Sequence, residues 1–475
     1  MIPSRAPIQP DAILVSLSLL WFSSLVGSCA GSEDSRHAVL VADAGADRSV
    51  RAGTTVQLDG SAHGHPDGDV SYQWSLASVP PGSASSLSDA TARDPRLIAD
   101  LTGRYVIELV VHDGAASSSP DTVTVHAQGP PNVVVILADD IGFGDVGPYK
   151  APTSTVPTPN IDRLAAGGMV FTDAHAPASV CAPSRYSMLT GNYPFRGRLD
   201  GGVWSSYAKS MLLPGQATAA DVMRAAGYRT AFIGKWQLGG DYRLQGTDDF
   251  FELGKSVEQI DFARPFEDGP LDHGFDRSFV LPSGIQAQPF AYFANDLWDA
   301  IDGLTSELVL LAAGPLNGGM LPQPGMGDPF WDSRQAGPRL AQRAVEFIED
   351  TGRNDRFFLL YESTAIHEPW TPPDTLGGTG VAGATGLGEK ADMLLELDLE
   401  VGAILQALED QGLSQETLIF FTSDNGGFED GSPAGHDSSG GLRGSKSGIH
   451  EGGHRVPFVA RWGDGTPEGS IIAPG

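Results

Sequence analysis

Residues Asn132 to Ala138 form a nearly continuous apolar run with no polar alternation. A strand of that kind is covered on both faces, which in practice means a parallel sheet between helices. The break Gln128-Gly129-Pro130-Pro131 precedes it, and after the break strands and helices alternate. Pro159 and the preceding Thr158 start a helix, and Thr218 to Ala226 is a helix closed by Gly227. Thr230 to Ile233 is the next strand. Leu340 to Thr351 is a helix and Phe357 to Glu362 a strand; Lys390 to Gln411 is a long helix stopped by Gly412 and followed by a strand over Thr417 to Thr422. The pattern predicts an α/β fold: a mostly parallel sheet with helices on both faces. The stretch from about Asp241 to Gly337 is rich in Gly and Pro, and most of it reads as insertions that shape a cleft.

Before the break the pattern differs. Val39 to Val41, Thr55 to Leu58, Val70 to Trp74 and Tyr105 to Val111 are short β-rich runs separated by Gly, Asp, Ser and Pro. They predict a small all-β immunoglobulin-like sandwich over residues 38–127, with Trp74 in its core. The runs around Asp59-Gly60-Ser61, Tyr72-Gln73-Trp74 and Gly103 to Gly114 resemble PKD modules, which implies a spacer or a carbohydrate contact. Further upstream, Arg5 and the apolar stretch Ala12 to Val26 read as an export signal over residues 1–29, too short for a membrane span. Leu25 to Cys29 resembles a lipoprotein cleavage box, so Cys29 is a candidate for lipid attachment, with residues 30–37 as a linker. The expected location is the bacterial periplasm or, through Cys29, the cell envelope. The chain has only two cysteines, Cys29 and Cys181, so the exported protein is expected to stand without disulfides. A net charge of -29 excludes a general nucleic-acid or polyanion binder. Any anionic substrate must be held by a local cluster of Arg, Lys and His.

Such a cluster starts in the stretch Cys181 to Gly191. Pro183 suits a first helical position and Gly191 a helix end, so Cys181 lies just ahead of a helix N-terminus, where backbone N–H groups and the helix dipole favour an anion. Arg185, one turn on, can reach back to the same place. The Cys–Arg spacing is too short for the phosphate-cradling loop of thiolate phosphatases. The segment Cys181-Ala182-Pro183-Ser184-Arg185 to Leu189-Thr190-Gly191 resembles the signature of type I sulfatases. That resemblance implies an alkaline-phosphatase-like catalytic domain over 131–475. It also implies that a formylglycine-generating maturation enzyme oxidises Cys181, whose hydrated aldehyde is then the nucleophile.

Sites on open α/β sheets form at the C-terminal ends of strands. Here Asp139-Asp140, Gly234-Lys235, His367 and Ser423-Asp424-Asn425 each follow a predicted strand. Asp139, Asp140, Asp424 and Asn425 offer hard oxygen ligands, which favours Ca²⁺ or, second, Mg²⁺. The resemblance places one Ca²⁺ on these four residues and on residue 181, the converted Cys181, as a further ligand. It also implies that Lys235 and Lys446 bind the sulfate and that His367 protonates the leaving oxygen or holds the sulfate. His436 and Arg443 are candidate substrate contacts, and Asp145 is read as structural. In one respect the chain departs from the family: Gln237 stands where the pattern has a histidine, and Gln cannot take a proton near neutral pH. In a second respect, related chains continue through a C-terminal subdomain that is not seen before Gly475. The expected function is hydrolysis of sulfate esters, of sulfated carbohydrates or aryl sulfates. The alternatives are a related phosphodiesterase or phosphonate hydrolase, and a non-catalytic, surface-anchored binder of sulfated glycans.

Overall fold

The computed structural model describes residues 39–64, 70–149, 156–198, 204–305, 307–352, 355–463 and 470–472. The export signal, Cys29 and the linker lie outside these. The chain divides into two compact units.

In the N-terminal unit a four-stranded sheet takes the order Arg48–Arg51, Asp121–Gln128, Gly103–His112, Ser71–Ser78. The pairs Thr54–Gln57 with Arg96–Ala99 and Val41–Asp43 with Ser61–His63 form separate two-stranded sheets. Alternation drives the packing: Tyr105, Ile107, Leu109 and Val111 all point inward from one strand. Trp74 is buried against them, and its indole N–H donates to the Ala92 carbonyl at 3.1 Å. Gly60 is required beside it, because a Cβ there would sit 2.7 Å from the indole ring.

The larger unit is built on one ten-stranded sheet. Its elements in chain order are β1 (Asn132–Ala138), α1 (Pro159–Ala166), β2 (Met169–His175), α2 (Cys181–Thr190), α3 (Ala219–Ala225), β3 (Arg229–Lys235), β4 (Arg277–Leu281), β5 (Tyr292–Ala294), β6 (Leu297–Asp299), α4 (Ala336–Thr351), β7 (Phe357–Glu362), α5 (Glu389–Asp410), β8 (Thr417–Ser423), α6 (Glu451–His454), β9 (Arg455–Trp462) and β10 (Ser470–Ile472). The strand order is β6-β5-β4-β3-β7-β1-β8-β9-β2-β10. The five central strands β4, β3, β7, β1 and β8 are parallel. Antiparallel pairs flank them on either side. One face is covered by α1, α4 and α5 around Ile161, Leu340, Phe347, Leu397 and Ile404. The other is covered by α2 and α3 with an aromatic group that includes Tyr186, Phe232, Trp236 and Phe275.

Local chemistry fixes the element ends. Thr218 and Asp221 form a reciprocal capping box on α3. Gly191 closes α2 with φ +68°. Cys181 is the first residue of α2 rather than a residue ahead of it, with Val180 as an extended N-cap that has no capping side chain. Part of the stretch 241–337 belongs to the main sheet: it contributes β4 to the parallel core and the β5–β6 hairpin to the sheet edge. Period-2 signals there are short and interrupted by Gly and Pro, so burial in a continuous sheet, not local pattern, makes them strands.

Candidate active site

Four adjacent strands, β3, β7, β1 and β8, end side by side. Their C-terminal ends deliver Lys235, then Glu362 and the segment to His367, then Asp139-Asp140, then Asp424-Asn425. Gly234 is needed before Lys235: its φ is +128°, and a Cβ would run into the Glu362 backbone of the neighbouring strand.

Arg185 projects from α2 into these strand ends and is buried. It donates to Glu362 Oε2 at 2.5 Å and to Asp424 Oδ2 at 2.6 Å, with Asp139 Oδ1 at 3.4 Å. Lys235 Nζ donates to Asp139 Oδ2 at 2.7 Å. Lys446 Nζ lies 2.6 Å from Asp140 Oδ1. Ligand atoms of Asp139, Asp140, Cys181 and His367 all lie within 4.8 Å of one another. Asp424 joins through Arg185 and through the Asp140 N–H, which it accepts at 3.2 Å. Asn425 Nδ2 donates to Asp140 Oδ1 at 2.8 Å.

Burial sets the electrostatics. It pushes the Cys181 thiol up to about 12, with Lys235 opposing, so an unmodified thiol stays protonated at neutral pH. Burial raises Glu362 to about 7 and Asp424 to about 6, against the pull of Arg185. Asp139 goes the other way: burial would raise it, but Lys235, His367 and Arg185 together hold it below the carboxylate range. His367 is lowered by burial and then by Lys235. Its Nδ1 must carry the proton to meet the Glu368 carbonyl at 2.8 Å, which leaves Nε2 facing the cluster, 3.7 Å from Asp140 Oδ2.

The oxygen atoms fit a divalent cation. Asn425 Oδ1 is a buried acceptor without a hydrogen-bond donor, and Asp139 Oδ1 makes no hydrogen bond and meets only the Arg185 guanidinium, at 3.4 Å. A buried acceptor in that state is costly unless a cation meets it. The set is all-oxygen apart from residue 181, which suits Ca²⁺. Asp140 (φ +66°) and Gln237 (φ +48°) both hold left-handed backbone in this region. The Gln237 side chain is buried, and its Oε1 also lacks a donor.

Two candidate residues sit apart from the cluster. His436 is buried against Asp145 Oδ1 at 2.6 Å, and Asp145 also accepts from Gly142 N–H and Ser438 hydroxyl. Arg443 is exposed. One residue went unread from the sequence: Glu362, the acidic end of an apolar strand, carries the same signal that singled out Asp139.

A family model of sulfatases matches residues 131–474. The chain belongs to the sulfatase family. A second family model, of a PKD domain, matches residues 44–126. Arylsulfatase A of Bos taurus is 35% identical over 342 residues, covering 71% of this chain and 60% of the relative. An N-acetylgalactosamine-6-O-sulfatase of Bacteroides thetaiotaomicron is 31% identical over 369 residues, covering 70% of this chain and 67% of the relative. The chain therefore spans about 60% of the length of its arylsulfatase A relative. A solved structure from the metabolism of multiple glycosaminoglycans by Bacteroides thetaiotaomicron superposes with TM-score 0.61 at 28% identity, covering 72% of this chain and 74% of that one. Among the described residues no helix is long and apolar enough to cross a membrane.

Proposed function

We propose that this chain hydrolyses sulfate esters, with sulfated carbohydrates as the substrate class, and uses formylglycine made from Cys181 together with Ca²⁺. The carrying observation is the meeting of Lys235, Asp139, Asp140 and Asp424 from adjacent strand ends with Arg185 and the uncapped N-terminus of α2. Once oxidised by a maturation enzyme, residue 181 would supply a hydrated aldehyde hydroxyl as nucleophile, and Ca²⁺ held by Asp139, Asp140, Asp424 and Asn425 would neutralise charge beside it.

The chain's own residues do the rest. Lys235 and Lys446 bind and orient the sulfate oxygens and stabilise the charge that grows on them. Arg185 fixes Asp139, Asp424 and Glu362, so the carboxylates do not turn toward the anion. His367 turns Nε2 toward the leaving oxygen; with Nδ1–H kept on the Glu368 carbonyl, it hands over a proton there only from the doubly protonated imidazolium. The uncapped N–H groups of α2 add positive potential at residue 181. Gln237 can offer a hydrogen bond in the pocket but moves no proton, which predicts slow turnover. The similarity to an N-acetylgalactosamine-6-O-sulfatase supports a sulfated sugar as substrate.

Around this module we place an export signal over 1–29, lipid on Cys29 at the cell envelope, and a PKD-like spacer or carbohydrate contact over 38–127 ahead of the catalytic module 131–475. The test is sulfate release from an aryl sulfate and from sulfated glycans by the matured protein, with and without a calcium chelator. Release that needs both maturation and Ca²⁺ supports the reading. An aryl phosphodiester cleaved faster than the sulfate moves it to the phosphodiesterase branch. Gln237 favours one other outcome: glycan binding with no sulfate released, the mark of a degenerate binder.

A further inference from the structure

A second group of metal-ligating side chains lies outside the acidic cluster. His175 ends β2, and Glu451 and His454 stand three residues apart on α6, so both face one side of that short helix. Ligand atoms of the three all lie within 4.8 Å of one another. His175 Nε2 and Glu451 Oε2 share a hydrogen bond at 3.2 Å, which an ion would replace, and the two imidazole rings lie 5.2 Å centre to centre. Two ligands at about 2.0–2.1 Å from one tetrahedral ion are separated by roughly 3.3 Å, so the His175–Glu451 spacing already suits a shared ion.

The backbone holds the group in place. His175 pairs with Arg455 in the β2–β9 ladder, and the Ala176 N–H donates to the His454 carbonyl at 2.7 Å. Gly452 and Gly453 let α6 pack close: a Cβ on either would run into the backbone of Gly444 or Gly448. Two further charged groups border the site. Asp173 Oδ1 is 3.8 Å from His175 Nε2, and the Arg455 guanidinium bridges Glu451 at 3.2 Å and Asp173 at 3.6 Å. An ion would displace Arg455 from Glu451 and leave it to Asp173.

We propose that His175, Glu451 and His454 form a second metal site, for a borderline-soft divalent cation of which Zn²⁺ is the type. Two imidazoles and one carboxylate match zinc and reject calcium, which the oxygen-rich cluster prefers. Solvent completes the coordination, since His175 and Glu451 are exposed. The site would tie the end of β2, six residues ahead of Cys181 in the numbering, to the start of β9. It is independent of the sulfatase mechanism.

The experiment is equilibrium dialysis of the full chain against Zn²⁺ in excess Ca²⁺, with bound zinc measured by mass spectrometry. Co²⁺ absorption reports the ligand geometry. Cys181→Ala removes the thiol that could draw zinc into the acidic cluster and is expected to keep about one zinc per chain. His175→Ala, His454→Ala and the near-isosteric Glu451→Gln are each expected to weaken zinc at least about tenfold. Circular dichroism checks that each variant is folded. Unchanged zinc affinity in folded His454→Ala and Glu451→Gln would overturn the proposal. So would zinc lost in Cys181→Ala but kept in His454→Ala, or no bound zinc in any form.

Discussion

Neighbouring residues of β7 reach two buried acidic groups on opposite faces of the sheet. Glu362 points to Arg185 and, beyond it, Asp424 and Asp139. Tyr361 points to α5, where its hydroxyl donates to Glu400 Oε2 at 3.0 Å beside Glu396. The two faces solve the same problem differently. On the Glu362 side the fixed cations Arg185, Lys235 and Lys446 pair with the carboxylates and hold Asp139 ionised, although burial still lifts Glu362 to about 7 and Asp424 to about 6. On the Glu400 side the hydrogen-bond partners are neutral hydroxyls, of Tyr361 and Ser363. Burial raises Glu400 to about 7 and lifts Glu396 further, so a proton does the neutralising. Gly337 at the start of α4 leaves the room, since a Cβ there would collide with both carboxyls. A buried acid next to fixed cations is chemistry held ready. A buried acid next to a phenol and a helix start is packing.

The largest test of this contrast is Cys181→Ala, expected to lower sulfate release by at least about 10⁴-fold while the fold survives, as read by single-turnover assay and circular dichroism. Next, Arg185→Met leaves Glu362, Asp424 and Asp139 without their common partner. It should cost about 3–5 kcal/mol in denaturant unfolding and abolish turnover. On the opposite face, Glu396→Gln with Glu400→Gln should leave turnover within about twofold. Its effect falls on pH dependence. The folded carboxyl is raised above its unfolded value, so the native state binds more protons. The wild-type protein therefore loses stability as pH rises from about 4.5 through about 7, on the order of 3 kcal/mol. The double variant should flatten that slope in melting curves taken from pH 5 to 8. The smallest change, Gln237→His, restores a proton-accepting ring at a left-handed position that His tolerates. It should raise turnover by up to about tenfold without moving KM, and an unchanged rate would assign proton removal to another group.

Much of this geometry is readable in the chain. Asp139, Lys235, His367 and Asp424 each follow an apolar run, and strand-end logic collects them before any coordinates are known. Glu362 carries the same mark. It was missed because its role depends on β3, β7 and β1 lying side by side, and strand order is not a local property. Glu396 and Glu400 look like the solvated face of a long helix. They are buried because α5 is covered on nearly every side by α1, α4 and the sheet, a fact of tertiary packing. The same holds for His175 and His454, far apart in sequence and joined only by an antiparallel register. Within 241–337, strands emerge where the local pattern is weak, because pairing with the neighbouring strands of the sheet imposes them.

The order of β7, β1 and β8 has a consequence for the time course of synthesis. Arg185 meets Asp424 across 239 positions, and Asn425 meets Asp140 across 285. Such distant pairings close late during folding. A chain emerging from the ribosome presents Cys181 after Asp139 and Asp140 but well before Asp424 and Asn425 exist. In the finished fold the same residue is only 3% exposed. Any enzyme that oxidises Cys181 therefore works against a clock, and the window shuts when β8 slots in beside β1.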